Sequence, residues 1–154
     1  MTNETMADAD QTARKGWMSL LAKAPAAELK RLWADAGQEA KFQWLRAPEV
    51  GGVMVRGRAG GTGAAFNLGE MTVTRCSLRL ESGAVGHAMV QGRDRDKAEV
   101  AAVIDALMQG EASEVLRATV LVPLEAGMVE TAGKRAAKAA QTKVDFFTMV
   151  RGED

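Results

Sequence analysis

The chain has 154 residues, which favours a single domain, and hydrophobic residues make up 47% of it, enough to build a core. Lysine plus arginine and aspartate plus glutamate both number 20, so the net charge is zero. The net charge therefore gives no indication of binding to nucleic acid or to a membrane surface. The charge is uneven, because residues 41–80 carry six basic and two acidic side chains. Such a segment suits an anionic ligand or an acidic partner surface, and equally a solvated sheet face.

Targeting signals are not evident. The first residues, MTNETMADADQT, contain no apolar stretch, so we expect no secretory signal, and no run of about 18 apolar residues predicts a membrane span. Cys76 is the single cysteine, which excludes an intramolecular disulfide and is consistent with a reducing compartment. We therefore expect a cytoplasmic protein in which residues 1–13 are flexible and residues 14–154 form one domain.

Two helices are predicted near the start of the chain. Apolar residues recur at helical spacing over residues 17–24 and again over residues 29–36. Pro25 suits the first turn of the second helix, and Gly37 suits its end.

The middle of the chain predicts an antiparallel meander of about four to five strands. The alternation between Arg75, Ser77 and Arg79 on one side and the apolar Cys76 and Leu78 on the other is typical of a half-buried strand. The predicted strands cover residues 41–47, 53–58, 66–68, 72–81 and 84–91, with turns or loops at 48–52, 59–65 and 82–83.

Helices are predicted again after this meander. Asp96 and Glu99 form a plausible capping box at the start of an amphipathic helix that Gly110 ends. Residues 115–124 are ambiguous, and an alanine-rich helix covers residues 125–142. The final segment, VDFFTMV, suits a strand or a docking segment. The predicted fold is α+β, with the meander flanked by N-terminal, central and C-terminal helices.

No complete catalytic constellation is evident. His87 is the single histidine, so with one cysteine the common zinc ligand sets are excluded, and we expect no metal in this chain. The loop Gly61, Thr62 and Gly63 could hold a phosphate through backbone N–H groups, but no Walker-type lysine follows it. The alternative is that these glycines permit a tight or mobile connection.

Two arginines are candidate anion contacts. Arg93 precedes the central helix and could hold a phosphate or phosphonate, or could pair with Asp94 or a neighbouring strand. Arg75 shares a strand face with Arg79, so one anion could meet both, although an exposed basic face explains them equally well.

Several separated blocks of the sequence resemble the G subunit (PhnG) of the phosphonate carbon–phosphorus lyase machinery. They read GRAGGTGAAFNLGEMTVTRCSLRL, GAVGHAMVQGRDRDKAEVAAVIDALMQ and VDFFTMVRGED, and RKGWMSLLAKAPAAEL resembles the opening helices of that family. The resemblance implies a partner of the H, I, J and L subunits. It also implies a role in a reaction in which methylphosphonate displaces adenine from ATP to give alpha-D-ribose 1-methylphosphonate 5-triphosphate. It implies no cofactor in this chain and no known catalytic residue.

Two hypotheses follow about residues of the chain itself. We expect Arg75 and Arg93 to face an anionic substrate or a partner carboxylate. Because Phe146 and Phe147 are adjacent, they cannot both face one core from a simple strand, and we expect one of them to contact a partner. The alternatives are a non-catalytic scaffold for the nucleosidase subunit and a free-standing domain that binds small anions.

Overall fold

The computed structural model describes residues 2–143, and it confirms the predicted α+β class. In chain order the elements are α1 (Thr2–Lys23), α2 (Ala26–Ala36), β1 (Phe42–Arg58), β2 (Ala65–Leu80), β3 (Val85–Gln91), α3 (Arg95–Leu107), α4 (Ser113–Leu116) and α5 (Val122–Gln141). A 3-10 turn joins β1 to β2, and a π-helical turn joins α4 to α5.

The sheet has three antiparallel strands in the order β1-β2-β3, so the prediction of four to five strands is wrong. The segments predicted at 41–47 and 53–58 belong to one strand of 17 residues, and those at 66–68 and 72–81 belong to one strand of 16 residues. The turn predicted at 48–52 is instead absorbed by shifts of register between Trp44 and Glu49. An edge strand tolerates proline at such a bulge, because no neighbouring strand needs a hydrogen bond from the backbone N–H that proline lacks.

The N-terminal helices agree with their predicted spacing. Pro25 stands at the N-cap of α2, one residue before the predicted position, and Gly37 ends the helix in the left-handed conformation with φ of 60°. The segment predicted as flexible, residues 1–13, falls within α1 from Thr2 on, and exposed side chains occupy positions 7–13. Its flexibility and the division into 1–13 and 14–154 stay predictions.

The core lies between the helices and the inner face of the sheet, where Cys76, Leu78 and Leu80 point as predicted. The ambiguous residues 115–124 are helical and supply core side chains from α4 to the start of α5. The largest fully buried apolar side chains are Leu29, Leu78, Val90, Ile104, Leu116, Val120 and Leu124. The predicted C-terminal segment with Phe146 and Phe147 lies outside the described residues.

The N-cap of helix α3 lies two residues before the first residue of the predicted capping box. This N-cap is Asp94, whose Oδ1 accepts a hydrogen bond from the Lys97 N–H at 2.9 Å. The Lys30 Nζ donates to the Asp94 Oδ2 at 2.8 Å, which ties α2 to the start of α3. The pKa of Asp94 is lowered, first by the hydrogen bond from Lys30 and then by the bond from the Lys97 N–H. Asp96 lies in the first turn and does not cap the helix.

We expect Asp94→Ala to lower the free energy of unfolding at pH 7 by about 1 kcal/mol, the usual contribution of an N-cap. Because the folded pKa of Asp94 lies below its ordinary value of 3.8, its carboxylate stabilises the fold above that pH and ceases to do so as the pH falls through the folded pKa. Asp94→Asn keeps the cap acceptor and removes the charge. Wild type should therefore exceed Asp94→Asn in stability at pH 7 and match it in acid, as urea titrations would reveal; a difference that does not vary with pH would contradict this.

Candidate functional site

The face of the sheet that points away from the helices carries the basic side chains of the middle segment. Arg75 and Arg79 are exposed on this outer face, as the alternation predicts. The register places Arg75 between Glu49 of β1 and Met89 of β3. Ser77 pairs with both Arg46 and His87, so this row of the outer face crosses all three strands.

One carboxylate serves two arginines on this face. The Arg75 Nε donates to the Glu49 Oε1 at 2.7 Å, and the Arg46 Nη1 donates to the same oxygen at 3.2 Å. All three side chains are about half exposed, so these ion pairs contribute only about 0–1 kcal/mol each. Among the side chains of residues 7–143, none forms an ion pair with Arg79. The outer face therefore keeps an excess of positive charge that an acidic group could meet.

Arg93 occupies a different place, the turn between β3 and α3. Gly92 makes this turn with φ of 90°, and its N–H donates to the Thr72 carbonyl at 3.0 Å. Arg93 is exposed, and no hydrogen bond joins it to another residue in the described part of the chain. Asp94, one of its predicted partners, pairs with Lys30 instead. The guanidinium is thus available to an anion or to a partner.

The glycine loop lies at the tip of the β1–β2 hairpin. Gly60 and Gly61 have φ of 59° and 79°, and the Gly63 N–H already donates to the Ala59 carbonyl at 3.0 Å. Ten residues of β2 separate this tip from Arg75, which corresponds to about 30 Å at strand spacing. The structure therefore does not gather Arg75, Arg93 and Gly61–Gly63 into one anion site.

A cavity of about 450 Å³ lies between α1 and β3. Its lining is mostly apolar, and Arg14, Lys15 and His87 are its basic residues. In the described chain the His87 ring has no hydrogen bond to a hydroxyl or carboxylate, so no Ser-His-Asp arrangement forms around it. Nor do any three histidine, cysteine or carboxylate side chains of that part of the chain group together as metal ligands.

The buried Asp105 of α3 was missed by sequence reasoning. The Arg14 Nη2 donates to its Oδ2 at 2.8 Å, and the Trp17 Nε1 donates to its Oδ1 at 2.8 Å. The His87 N–H donates to its Oδ2 at 2.9 Å. A signal existed, because Asp105 follows Ile104 within the apolar stripe of a helix, where a carboxylate needs a partner. This carboxylate joins α1, β3 and α3, and its fully used oxygens suit a structural role.

Cys76 is poorly suited to nucleophilic chemistry. Burial raises the pKa of its thiol to about 11, and the Sγ donates to the Ala98 carbonyl at 3.2 Å. We expect the native protein to react with a thiol reagent such as DTNB far more slowly than the urea-unfolded chain, because the thiolate is scarce and covered. Equal rates for native and unfolded protein at pH 8 would contradict this.

Comparisons with known proteins identify relatives over almost the whole chain. The family described as "Phosphonate metabolism protein PhnG" matches residues 12–152. A protein of Rhizobium meliloti (strain 1021) is 42% identical over 151 residues, which cover 98% of this chain and 97% of that relative. That relative is named alpha-D-ribose 1-methylphosphonate 5-triphosphate synthase subunit PhnG. None of the described helices is long and apolar enough to cross a membrane.

Proposed function

Since the chain belongs to the PhnG family of phosphonate metabolism proteins, we propose that it is a subunit of an alpha-D-ribose 1-methylphosphonate 5-triphosphate synthase. In this proposal the chain contributes binding surfaces, and the reacting groups belong to other subunits. The synthase joins methylphosphonate to the ribose carbon of ATP that carries adenine, and adenine is released. The partners are the H, I, J and L subunits, the chain itself holds no cofactor, and the assembly is cytoplasmic.

The observation that carries this proposal is an uncovered β-hairpin. Strand β3 pairs with residues 73–79 of β2, so residues 52–58 and 65–72 extend beyond it as a two-stranded ribbon, the hairpin arm. Met54, Phe66 and Leu68 are exposed on this arm, Leu68 to 66%. A two-stranded hairpin is marginally stable alone in water, and exposed apolar side chains on it indicate a surface that a partner covers.

Helix α5 supports the same role. Beyond Leu124, which is buried, nearly all of its residues are exposed, including Val129 at 67%. Its apolar side chains Met128 and Val129 face an open groove beside α1. A helix with so little cover from its own chain is typical of a subunit whose partner supplies the remaining contacts.

The scaffold alternative differs in one respect, because in it no side chain of this protein reaches substrate. The ion pairs of Arg75 and Arg46 with Glu49 favour this alternative for the outer face, while the unpaired Arg93 favours a contact with an anion. A free-standing anion-binding domain is less well supported, since the glycine loop lies about 30 Å along the hairpin from Arg75.

We expect reconstituted synthase to release adenine from ATP and methylphosphonate only when this chain is present. Adenine would be measured by chromatography in reactions with and without the chain, with the other subunits held at equal concentration. A full rate of release without the chain would overturn the proposed function. Release that needs the chain would support it.

We expect Arg93→Ala or Arg75→Ala to reduce adenine release or subunit affinity about tenfold or more, since a hydrogen bond to a charged group contributes about 1.5–3 kcal/mol. Arg31→Ala is a matched control, because the exposed Arg31 pairs with Glu28 and Asp35 of its own helix. If both variants match this control in assembly and in adenine release, neither arginine contacts substrate or partner.

A further inference from the structure

The two edges of the sheet differ in how their backbone groups are used. At the β3 edge the Val85 carbonyl accepts from the Arg14 Nη2 at 3.2 Å and from the Gln109 Nε2 at 2.8 Å. The next outward group, the His87 N–H, donates to the buried Asp105. Side chains therefore occupy the start of this edge, at Val85 and His87. At the β1 edge, no further strand pairs with β1 within residues 2–143, and no side chain of residues 7–143 is hydrogen-bonded to the β1 backbone.

The open edge contains one regular stretch, Glu49–Val55. Its seven residues pair with Arg75 to Gly69 in unbroken register, and shifts of register lie on both sides of it. Residues 50–55 read VGGVMV and carry no charge. Val50, Met54 and Val55 are exposed. Proteins usually protect an uncharged, β-prone edge, because otherwise it pairs with other chains. This edge is protected only at its ends, by Pro48 and Arg56.

We propose that an extended strand of another synthase subunit adds to the Glu49–Val55 edge of β1. This proposal rests on the proposed function, and it names the surface by which the subunit is held. An extended segment is the one kind of occupant that satisfies a row of outward N–H and C=O groups. The hairpin arm continues from this edge and lies beside the same occupant.

The side chains of the edge define the chemistry of that strand. Val50 pairs with Thr74 and Met54 with Glu70, which places both on the helix side of the sheet. On the outer face the neighbouring Arg46 and Arg75 exceed the single Glu49. Val53 and Val55, which pair with Met71 and Gly69, also lie on the outer face. The partner strand should therefore carry apolar side chains toward the helix side, and on the outer face acidic side chains near Arg46 and Arg75 and apolar ones beside Val55.

Two other occupants are less well matched. A second copy of the chain, paired β1 to β1, would bring two basic outer faces side by side, which like charges disfavour. The segment 144–154 of the same chain, VDFFTMVRGED, carries acidic and apolar residues and is the other candidate. Both are outcomes of the following experiment.

Hydrogen exchange with residue-level resolution tests the proposal on the isolated full chain, on a chain ending at Lys143, and on the assembled synthase. We expect the outward amides of residues 49–55 to exchange rapidly in both isolated forms. In the assembly we expect their exchange to be slower by a factor of about a hundred or more. Protection that is present in the isolated full chain and lost after truncation would show that the chain's own tail, and not a partner strand, covers the edge. Protection that grows with the concentration of the isolated chain would show that a second copy of the chain covers the edge.

A charge on the edge provides a second test. We expect Met54→Lys to weaken assembly at least about tenfold without changing the unfolding midpoint, because the side chain is 58% exposed and would lie beside the apolar side chains of the proposed occupant. Val115→Lys on α4 is the control, since Val115 is 49% exposed and lies outside the sheet. Equal assembly by the two variants would overturn the proposal, as would residues 49–55 left unprotected in an assembled synthase. Failure of the wild-type chain to assemble would instead overturn the proposed function.

Discussion

Asp105→Ala is expected to lower the free energy of unfolding by about 3–5 kcal/mol, the range for breaking a buried ion pair by removing one partner. Asp105 is 0% exposed, and the alanine would leave Arg14, the Trp17 Nε1 and the His87 N–H without their acceptor. These groups belong to α1 and β3, so the attachment of both to α3 would weaken together. A domain of this size has about 5–15 kcal/mol of stability in total, so much of it would be lost.

Urea unfolding followed by tryptophan fluorescence measures this change. Asp35→Ala is the matched control, because Asp35 pairs with Arg31 on the surface of α2 and its side chain is 65% exposed. The control should change the stability by no more than about 0.5 kcal/mol. A loss below about 1 kcal/mol for Asp105→Ala would show that the buried network does not hold α1 and β3 to α3.

Gly86→Ala is expected to destabilise the fold by about 1–3 kcal/mol, the usual effect of overpacking a core. Gly86 lies on β3 opposite Leu78, where α3 approaches the sheet closely. A Cβ at this position would overlap the Ala102 carbonyl oxygen and lie 2.8 Å from the Ala106 Cβ. Because the first of these atoms is helix backbone, α3 would have to move away from the sheet.

Gly69→Ala separates this effect from the general effect of replacing a strand glycine. Gly69 lies on the hairpin arm, and a Cβ there would meet nothing within 4 Å. This control should be neutral or slightly stabilising, since alanine restricts the unfolded chain more than glycine does. The thermal unfolding midpoints of the two variants should therefore shift in opposite directions or differ clearly from each other. Equal midpoints would contradict the close packing of α3 on β3.

Local signals in the sequence predicted the helices well. The helical spacing of apolar residues and the stop at Gly37 identified α1 and α2, because capping and periodicity depend on neighbouring residues alone. The division of β1 into two predicted strands was wrong because a Pro-Gly cluster reads as a turn. Only the pairing of β1 with β2, and the position of β1 at an edge, shows that a bulge can absorb Pro48.

The candidate site was less predictable, because it depends on long-range contacts. The alternation that places Arg75 outward was visible in the strand, but its partner Glu49 lies 26 residues away across a hairpin. The length of that hairpin also separates the glycine loop from both arginines. The Asp105 network joins residues 88 and 91 positions apart, which single-sequence periodicity does not connect. The role of Phe146 and Phe147 stays a prediction.

The central claim is that this chain is held within a larger synthase. Light scattering after coexpression, with and without the I subunit, measures it most directly. We predict a stoichiometric complex whose mass exceeds the 16.4 kDa of this chain. A soluble monomer of 16.4 kDa that ignores the I subunit under both conditions would contradict the claim.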